Sequence, residues 1–158
     1  FAFRGTDEPL DVLRDLRILP WWMPELGWVP AGFGKAARRL LPKCLSVCME
    51  NDIDPDTIIL TGHSLGGAVA LIVGALMVRD EIVPQQIVTF GAPRCGRLKL
   101  LDGIPVTCYR HGKDIVPLVP PLMRRHKPLE QKGIKASFIR DHYVHNYIEM
   151  DKIEEVES

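Results

Sequence analysis

Residues 57–79 read TIILTGHSLGGAVALIVGALMVR, and this stretch decides the fold. Its first part, Thr57 to Thr61, is β-branched and apolar, which predicts a buried strand. Residues 67–79 are apolar on almost every side and predict a helix that is enclosed by the rest of the protein. A buried strand that leads into a buried helix is typical of α/β proteins with a parallel sheet.

The turn between this strand and this helix, Gly62-His63-Ser64-Leu65-Gly66, has the G-x-S-x-G pattern of a nucleophile elbow. In such a turn a serine stands clear of the sheet on a strained backbone, and small residues two positions away prevent clashes. The free N–H groups of the following helix point to where a negatively charged oxygen would form during acyl transfer. The pattern arises by chance in roughly one chain of this length in twenty, so an idle serine in a glycine-rich turn is the alternative. Its position between a strand and a helix favours the elbow.

Strands and helices alternate along the rest of the chain. Short apolar runs predict further strands at Phe1–Phe3, Ile87–Phe90 and Val106–Tyr109. Apolar residues at three- and four-residue steps predict an amphipathic helix over residues 33–49, which Pro42 should kink or restart. The alternation predicts an α/β fold with a mostly parallel central sheet flanked by helices.

Length and composition fit one compact domain spanning residues 1–158. The 46% hydrophobic and 25% charged contents are those of an ordinary soluble globular protein. Because 20 basic residues balance 20 acidic ones, no overall field favours nucleic acid or an anionic membrane as a partner. No apolar run approaches the roughly 20 residues that a transmembrane helix needs.

The cysteines and the first residues of the chain give two indications of the protein's cellular location. The spacing of Cys44, Cys48, Cys95 and Cys108 matches neither a disulfide framework nor a zinc site, so we predict free buried thiols. Free thiols weakly indicate a reducing, cytoplasmic compartment. No signal-peptide pattern is visible, but the chain opens with Phe1 inside a predicted strand, which indicates a removed upstream part or a fragment.

A serine nucleophile needs a base to accept its proton, and the base needs an acid to orient it. After a nucleophile elbow the order along the chain is serine, acid, histidine, with the last two on loops that follow later strands. Asp114 fits the acid because it follows the strand Val106–Tyr109 in a proline-containing loop; an ordinary turn aspartate is the alternative. Three other aspartates lie downstream of the serine and fit less well: Asp80, Asp102 and Asp141.

The base must come late in the chain, which leaves three histidines. His126 lies in a basic run with residues 124–127 and is predicted to belong to a solvated face. His142 and His145 are close rivals on chemistry alone.

Six segments of the sequence resemble the motifs of the fungal-type class 3 lipases, and they occur in the same order. They are Phe3–Thr6, Gly27–Phe33, Thr61–Ala68, Thr89–Arg94, Asp114–Pro117, and Asp141-His142 with Tyr147. The resemblance spans nearly the whole chain, and several motifs in one order are far more specific than any single motif. It implies a minimal version of the α/β-hydrolase fold.

The resemblance implies roles for three side chains. Ser64 matches the family's nucleophile and Asp114 its acid. His142 matches the base, because family members often carry an Asp-His pair that is followed five residues later by a tyrosine, here Tyr147. His145 stays the alternative base.

The resemblance also implies an oxyanion hole and a lid. Thr6 matches the family's Ser or Thr after F-R-G, whose hydroxyl and backbone N–H serve the oxyanion hole together with the backbone N–H of Leu65. The segment Asp7–Asp15 falls where these lipases carry a lid helix. Its apolar and charged residues alternate enough for a mobile amphipathic cover, and a fixed core helix is the alternative.

The tryptophans lie in residues 17–30, which we predict to be irregular strand or loop because three prolines interrupt them. Trp21 and Trp22 could line an acyl groove, but we favour the simpler interpretation that they close an edge of the core.

The function that this resemblance implies is a serine ester hydrolase, a lipase or carboxylesterase that cleaves acylglycerols or similar esters through an acyl-enzyme. It implies a lipid or small ester substrate, possible transient contact with a lipid interface, and no cofactor or metal. One alternative is a phospholipase, galactolipase or feruloyl-type esterase of the same fold. Another is a non-catalytic binding relative.

Overall fold

The computed structural model describes residues 1–5, 19–121, 123–132 and 142–143. Within these ranges the protein forms seven strands and two α-helices. The strands are β1 (Ala2–Phe3), β2 (Pro20–Met23), β3 (Gly27–Pro30), β4 (Ile59–His63), β5 (Gln86–Phe90), β6 (Val106–His111) and β7 (Glu130–Lys132). The helices are α1 (Ala31–Glu50) and α2 (Leu65–Arg79).

Five of the strands form one sheet in the order β1-β4-β5-β6-β7, and every neighbouring pair is parallel. Helix α2 connects β4 to β5, and α1 packs against α2. The predicted α/β fold, with a mostly parallel sheet flanked by helices, is confirmed. Because the carboxyl ends of parallel strands meet at one edge of the sheet, the segments that follow β4, β5 and β6 converge there.

Strand β4 begins two residues later than its apolar run predicts. Residues 55–57 instead form a turn of 3₁₀-helix, in which the Asp54 carboxylate accepts a hydrogen bond of 3.0 Å from the backbone N–H of Asp56. Pro55 favours this turn because its fixed φ suits the first helical position. The strand therefore runs to His63 and delivers Ser64 directly at the edge of the sheet.

Helix α2 is enclosed on all sides, as its sequence predicts, because every residue from Gly66 to Met77 is buried. One side faces Leu60 and Ile87, which are partners in the sheet and are fully buried. Each such aliphatic side chain contributes on the order of 1.5–3 kcal/mol when it is removed from water. A Cβ atom on Gly74 would collide with Ile87 and approach Leu60 to 3.1 Å, so glycine lets the helix lie close to the sheet.

The sequence predicts irregular strand or loop over residues 17–30; in the described part of this segment, β2 and β3 pair as a regular antiparallel hairpin. The prolines do not break the strands because Pro20 and Pro30 stand at their outer ends, where a missing N–H is tolerated. The turn is closed by a hydrogen bond of 3.0 Å from the Leu26 N–H to the Met23 carbonyl, and Gly27 takes the positive φ of 84° that follows it.

The tryptophans of this hairpin do not all close the core. Trp21 is half-buried beside the core, but Trp22 and Trp28 remain 53% and 58% exposed. Met23 and Val29, which are fully buried, are the hairpin residues that serve the core.

Helix α1 runs from Ala31 to Glu50 without restarting at Pro42. Pro42 has no N–H to donate to the carbonyl of Arg38, but both residues are exposed on the outer face of the helix. Water can therefore hydrate that carbonyl, and the helix continues.

The four cysteines are free and buried, as predicted. Burial raises the pKa of the Cys95 thiol to about 12, so this side chain is inert at neutral pH. Among the described residues, no helix has the length and apolar character needed to span a membrane.

Gly66 provides a test of how tightly β1, β4 and α2 are joined. A Cβ atom there would collide with the backbone carbonyl of Phe3, whereas a Cβ on Gly103 would meet nothing within 4 Å. We expect Gly66→Ala to destabilise the protein by at least about 2 kcal/mol despite alanine's better helix propensity. The matched Gly103→Ala should change the free energy of unfolding by less than about 0.5 kcal/mol. Urea unfolding measures both; equal stabilities would contradict this packing.

Candidate active site

Ser64 occupies the sharp turn between β4 and α2, with φ 54° and ψ −127°. This conformation is unfavourable for any residue with a side chain and costs on the order of 1–3 kcal/mol. Its backbone N–H donates to the Phe90 carbonyl at 2.9 Å, which ties the turn to β5. Side chains on Gly62 or Gly66 would collide with neighbouring backbone, so the two glycines of the motif are required by the turn itself.

Three buried side chains form a continuous row of hydrogen bonds at this turn. His142 Nε2 lies 2.8 Å from Ser64 Oγ, and His142 Nδ1 lies 2.7 Å from Asp114 Oδ2. Each of the three residues is no more than 1% exposed. The fold thus brings together the predicted serine, acid and base, although 78 residues separate Ser64 from His142.

Asp114 is held in place by the loop that follows β6. Its second carboxylate oxygen, Oδ1, accepts a hydrogen bond of 2.9 Å from the backbone N–H of Val116. Its carbonyl accepts another, of 2.7 Å, from Nε of Arg110, and its own N–H donates to the His111 carbonyl at 3.0 Å. The carboxylate is therefore fixed toward His142 and cannot rotate away without breaking the contact with Val116.

His63 is a further member of the site that the sequence did not reveal. Its ring lies against the His142 ring, with centroids 4.7 Å apart, and its Nε2 lies 2.7 Å from the His142 carbonyl. Since a carbonyl only accepts, Nε2 must carry the proton and donate it. Burial, and then the neighbouring His142, lower the pKa of His63 to about 4, so the ring is neutral at pH 7.

His63 went unnoticed because it fills the variable position of the elbow motif, where sequence pattern carries no information. Its contact depends on a backbone carbonyl 79 residues away. The one available signal was its place beside the nucleophile.

The start of helix α2 supplies backbone donors beside Ser64. Leu65 is the first helical residue, and the N–H groups of a first turn have no partner inside their own helix. On the other side, Gly5 passes so close to the turn that a Cβ on it would lie 2.6 Å from the His63 carbonyl and 3.5 Å from Ser64 Cβ. The chain that leads to Thr6 therefore runs alongside the elbow.

Several predicted positions lie outside the described residues: Thr6, the Asp7–Asp15 segment, Asp141, His145 and Tyr147. Their roles stay predictions. Of the other aspartates, Asp80 pairs with Arg79 and Asp102 with Arg97.

His126 is buried, so its prediction as part of a solvated face is wrong. Its Nδ1 lies 3.0 Å from Nη1 of Arg97, and burial lowers its pKa. The basic neighbours in the sequence gave no sign that this one side chain turns inward. Within the described part of the chain, no group of three or more His, Cys, Asp or Glu side chains is placed to hold a metal ion.

Comparison with known proteins identifies close relatives. The family described as Lipase (class 3) matches residues 1–124. A lipase of Rhizopus niveus is 34% identical over 133 residues, which cover 76% of this chain and 34% of the relative. A secreted mono- and diacylglycerol lipase of Fusarium solani is 39% identical over 70 residues, covering 41% of this chain and 21% of the relative. Since that relative is secreted, the weak indication of a cytoplasmic location finds no support here.

Solved structures share the same architecture. The lipase of Rhizopus microsporus var. chinensis superposes with a TM-score of 0.69 at 29% identity, over 85% of this chain and 52% of that one. A triacylglycerol lipase whose catalytic centre is formed by a serine protease triad gives a TM-score of 0.65 at 26% identity, over 85% of this chain and 56% of that one. The chain thus spans about half the length of these structures and a third of the Rhizopus niveus relative.

The lowered pKa of His63 predicts a pH dependence of stability. Because the folded-state pKa of about 4 lies below the ordinary 6.5, the unfolded chain binds more protons between these values. The stabilisation from neutral His63 is complete above pH 6.5 and is lost as the pH falls toward 4. Relative to His63→Gln, which keeps a donor of similar reach, the native chain should lose on the order of 2 kcal/mol between pH 7 and pH 4.5.

Urea unfolding of both chains across this pH range measures the difference. At pH 7, His63→Leu should be less stable than His63→Gln, since it leaves the His142 carbonyl without its donor. Parallel pH profiles for the native chain and His63→Gln would contradict the buried, neutral state of His63.

Proposed function

The chain belongs to the class 3 lipase family, and from that membership we propose that it is a serine ester hydrolase that cleaves acylglycerols through an acyl-enzyme at Ser64. The observation that carries this proposal is the buried row of hydrogen bonds from Ser64 through His142 to Asp114. A hydroxyl is a poor nucleophile until a base takes its proton, and this row supplies that base with its orienting acid.

The proposed reaction begins when Ser64 Oγ attacks the ester carbonyl and His142 Nε2 accepts its proton. Asp114 holds the proton of Nδ1, which keeps Nε2 free to act as the base, and then stabilises the imidazolium. The tetrahedral intermediate collapses, the bond to the leaving alcohol breaks, and His142 returns the proton to that alcohol. Water then attacks the acyl-enzyme and gives a proton to His142. The bond to Ser64 Oγ breaks, His142 returns that proton to Oγ, and the carboxylic acid is released.

The negative charge of the tetrahedral intermediate needs donors on the side away from the base. We propose the backbone N–H of Leu65 as one donor, because it stands at the start of α2 directly after Ser64. Thr6 is proposed as the second, through its hydroxyl and backbone N–H. The close passage of Gly5 along the elbow supports this assignment, because Thr6 is the next residue in the chain.

The names of the relatives support acylglycerols as the substrate class. The Fusarium solani relative is a mono- and diacylglycerol lipase, and one solved neighbour is a triacylglycerol lipase. A non-catalytic binding protein, by contrast, would gain nothing from holding Ser64 in a conformation that costs on the order of 1–3 kcal/mol.

Hydrolysis of p-nitrophenyl esters from acetate to palmitate, followed by mono-, di- and triacylglycerols, tests the proposal. Ser64→Ala should lower kcat by at least about a thousandfold, and Asp114→Asn by a similar factor, because asparagine favours the wrong tautomer of His142. Lys113→Gln, a change beside the acid but outside the row, serves as the matched control and should keep most of the activity. Undiminished hydrolysis by Ser64→Ala, or a folded native chain without ester hydrolysis, would refute the proposal.

The Thr6 assignment has its own test. Thr6→Val keeps the shape of the side chain but removes the hydroxyl donor, so kcat should fall by about a hundredfold with little change in KM. Thr6→Ser keeps the hydroxyl and should keep most of the activity. Equal rates for the valine and serine variants would show that the hydroxyl takes no part in the reaction.

A further inference from the structure

The three tryptophans of the chain all lie on the β2–β3 hairpin. Trp22 and Trp28 are cross-strand partners whose rings meet edge to face, with centroids 5.4 Å apart. Both remain more than half exposed, although indole is among the most favourable side chains to bury. A pair of exposed large aromatic rings in contact with each other is a typical surface for binding an apolar partner.

These two rings line a cavity of about 880 Å³. Its other walls include Leu26, Leu100 and Met123, so most of its lining is apolar. The volume falls within the range of roughly 300–1,000 Å³ that is usual for small-molecule sites. None of Ser64, Asp114 and His142 lines it, so the cavity is distinct from the proposed active site.

Positively charged side chains outnumber negatively charged ones in the lining of the cavity. Lys99 and Arg124 are exposed at the cavity, and in the part of the chain that the structure describes neither has an ion-pair partner. The single acid of the lining, Glu25, is already engaged by Arg38 at 3.0 Å and by Arg79 at 3.3 Å. The remaining cation of the lining, Arg97, is neutralised by Asp102. Among the described residues, the cavity therefore offers two positive charges without an ion-pair partner beside apolar walls.

We propose that this cavity binds a single-chain amphiphile with an anionic head group, namely a free long-chain carboxylate. The hydrocarbon chain packs against Trp22, Trp28 and Leu100, and the carboxylate pairs with Lys99 and Arg124. A concave, mostly apolar space of this volume fits one extended molecule better than the flat surface of a bilayer. The site does not depend on the proposed function, although hydrolysis of an acylglycerol would release such a carboxylate.

Decanoate, kept below its critical micelle concentration, is the probe, and n-decanol is its neutral counterpart. The titration uses the full chain with Ser64→Ala, which excludes turnover. All three tryptophans lie on the hairpin and two of them, Trp22 and Trp28, line the cavity, so intrinsic tryptophan fluorescence reports on this wall. We expect a saturable change with decanoate and an affinity for it at least roughly tenfold higher than for decanol.

Two sets of substitutions test separately what the positive charges and the apolar wall contribute to binding. Lys99→Glu combined with Arg124→Glu should weaken decanoate at least roughly tenfold and leave decanol unaffected. Trp28→Ala should weaken both ligands, whereas Trp28→Phe, which keeps an aromatic wall, should weaken them less. Unfolding midpoints equal to that of the parent establish that each variant is folded.

Decanoate binding that is unchanged by the charge reversal, an equal affinity for decanol, or no saturable change would each overturn the proposal. Ester hydrolysis by the chain with native Ser64 is measured separately. If the chain does not hydrolyse esters, the proposed function is refuted but the binding proposal is not. If decanoate does not bind, the binding proposal is refuted but the proposed function is not.

Discussion

The backbone conformation of Ser64 is the constraint on which the rest of the structure depends. With φ 54° and ψ −127°, the residue turns the chain from the end of β4 into the start of α2 within one position. This turn is possible only because the residues two before and two after it have no side chains. The strain is offset by the enclosed packing of α2, whose residues from Gly66 to Met77 are all buried. The close packing of α2 and the position of the Ser64 hydroxyl at the edge of the sheet therefore both follow from this turn.

The same constraint determines what must assemble around the hydroxyl. Parallel strands bring the loops after β4 and β6 to one edge of the sheet, which is how Asp114 comes within reach of a base that serves Ser64. His142 then has contacts on both ring nitrogens, on one ring face and on its own carbonyl. Residue His63 supplies the last two of these, so the elbow positions the base as well as the nucleophile. Such redundancy keeps a row of buried polar side chains ordered.

The sequence predicts the elbow and its acid because both depend on local chemistry: glycines at fixed spacing around Ser64, and an aspartate in the loop after a strand. It does not reveal His63, His126 or the hairpin, because their states depend on contacts across the fold. A backbone carbonyl from a distant segment gives His63 its partner. His126 lies among basic residues in the sequence, yet its ring turns inward to Arg97. Prolines suggested an irregular segment, but they stand at strand ends, where pairing does not need their N–H.

The central claim is that Ser64 is a nucleophile activated by His142 and Asp114, and reaction with a fluorophosphonate tests it most directly. The folded chain should gain one phosphonyl group, and peptide mass spectrometry should locate it on Ser64 and on no other serine. The Asp114→Asn chain, with an unchanged unfolding midpoint, should react at least about a hundredfold more slowly. An unmodified native chain, or equal labelling rates in the two chains, would contradict the account.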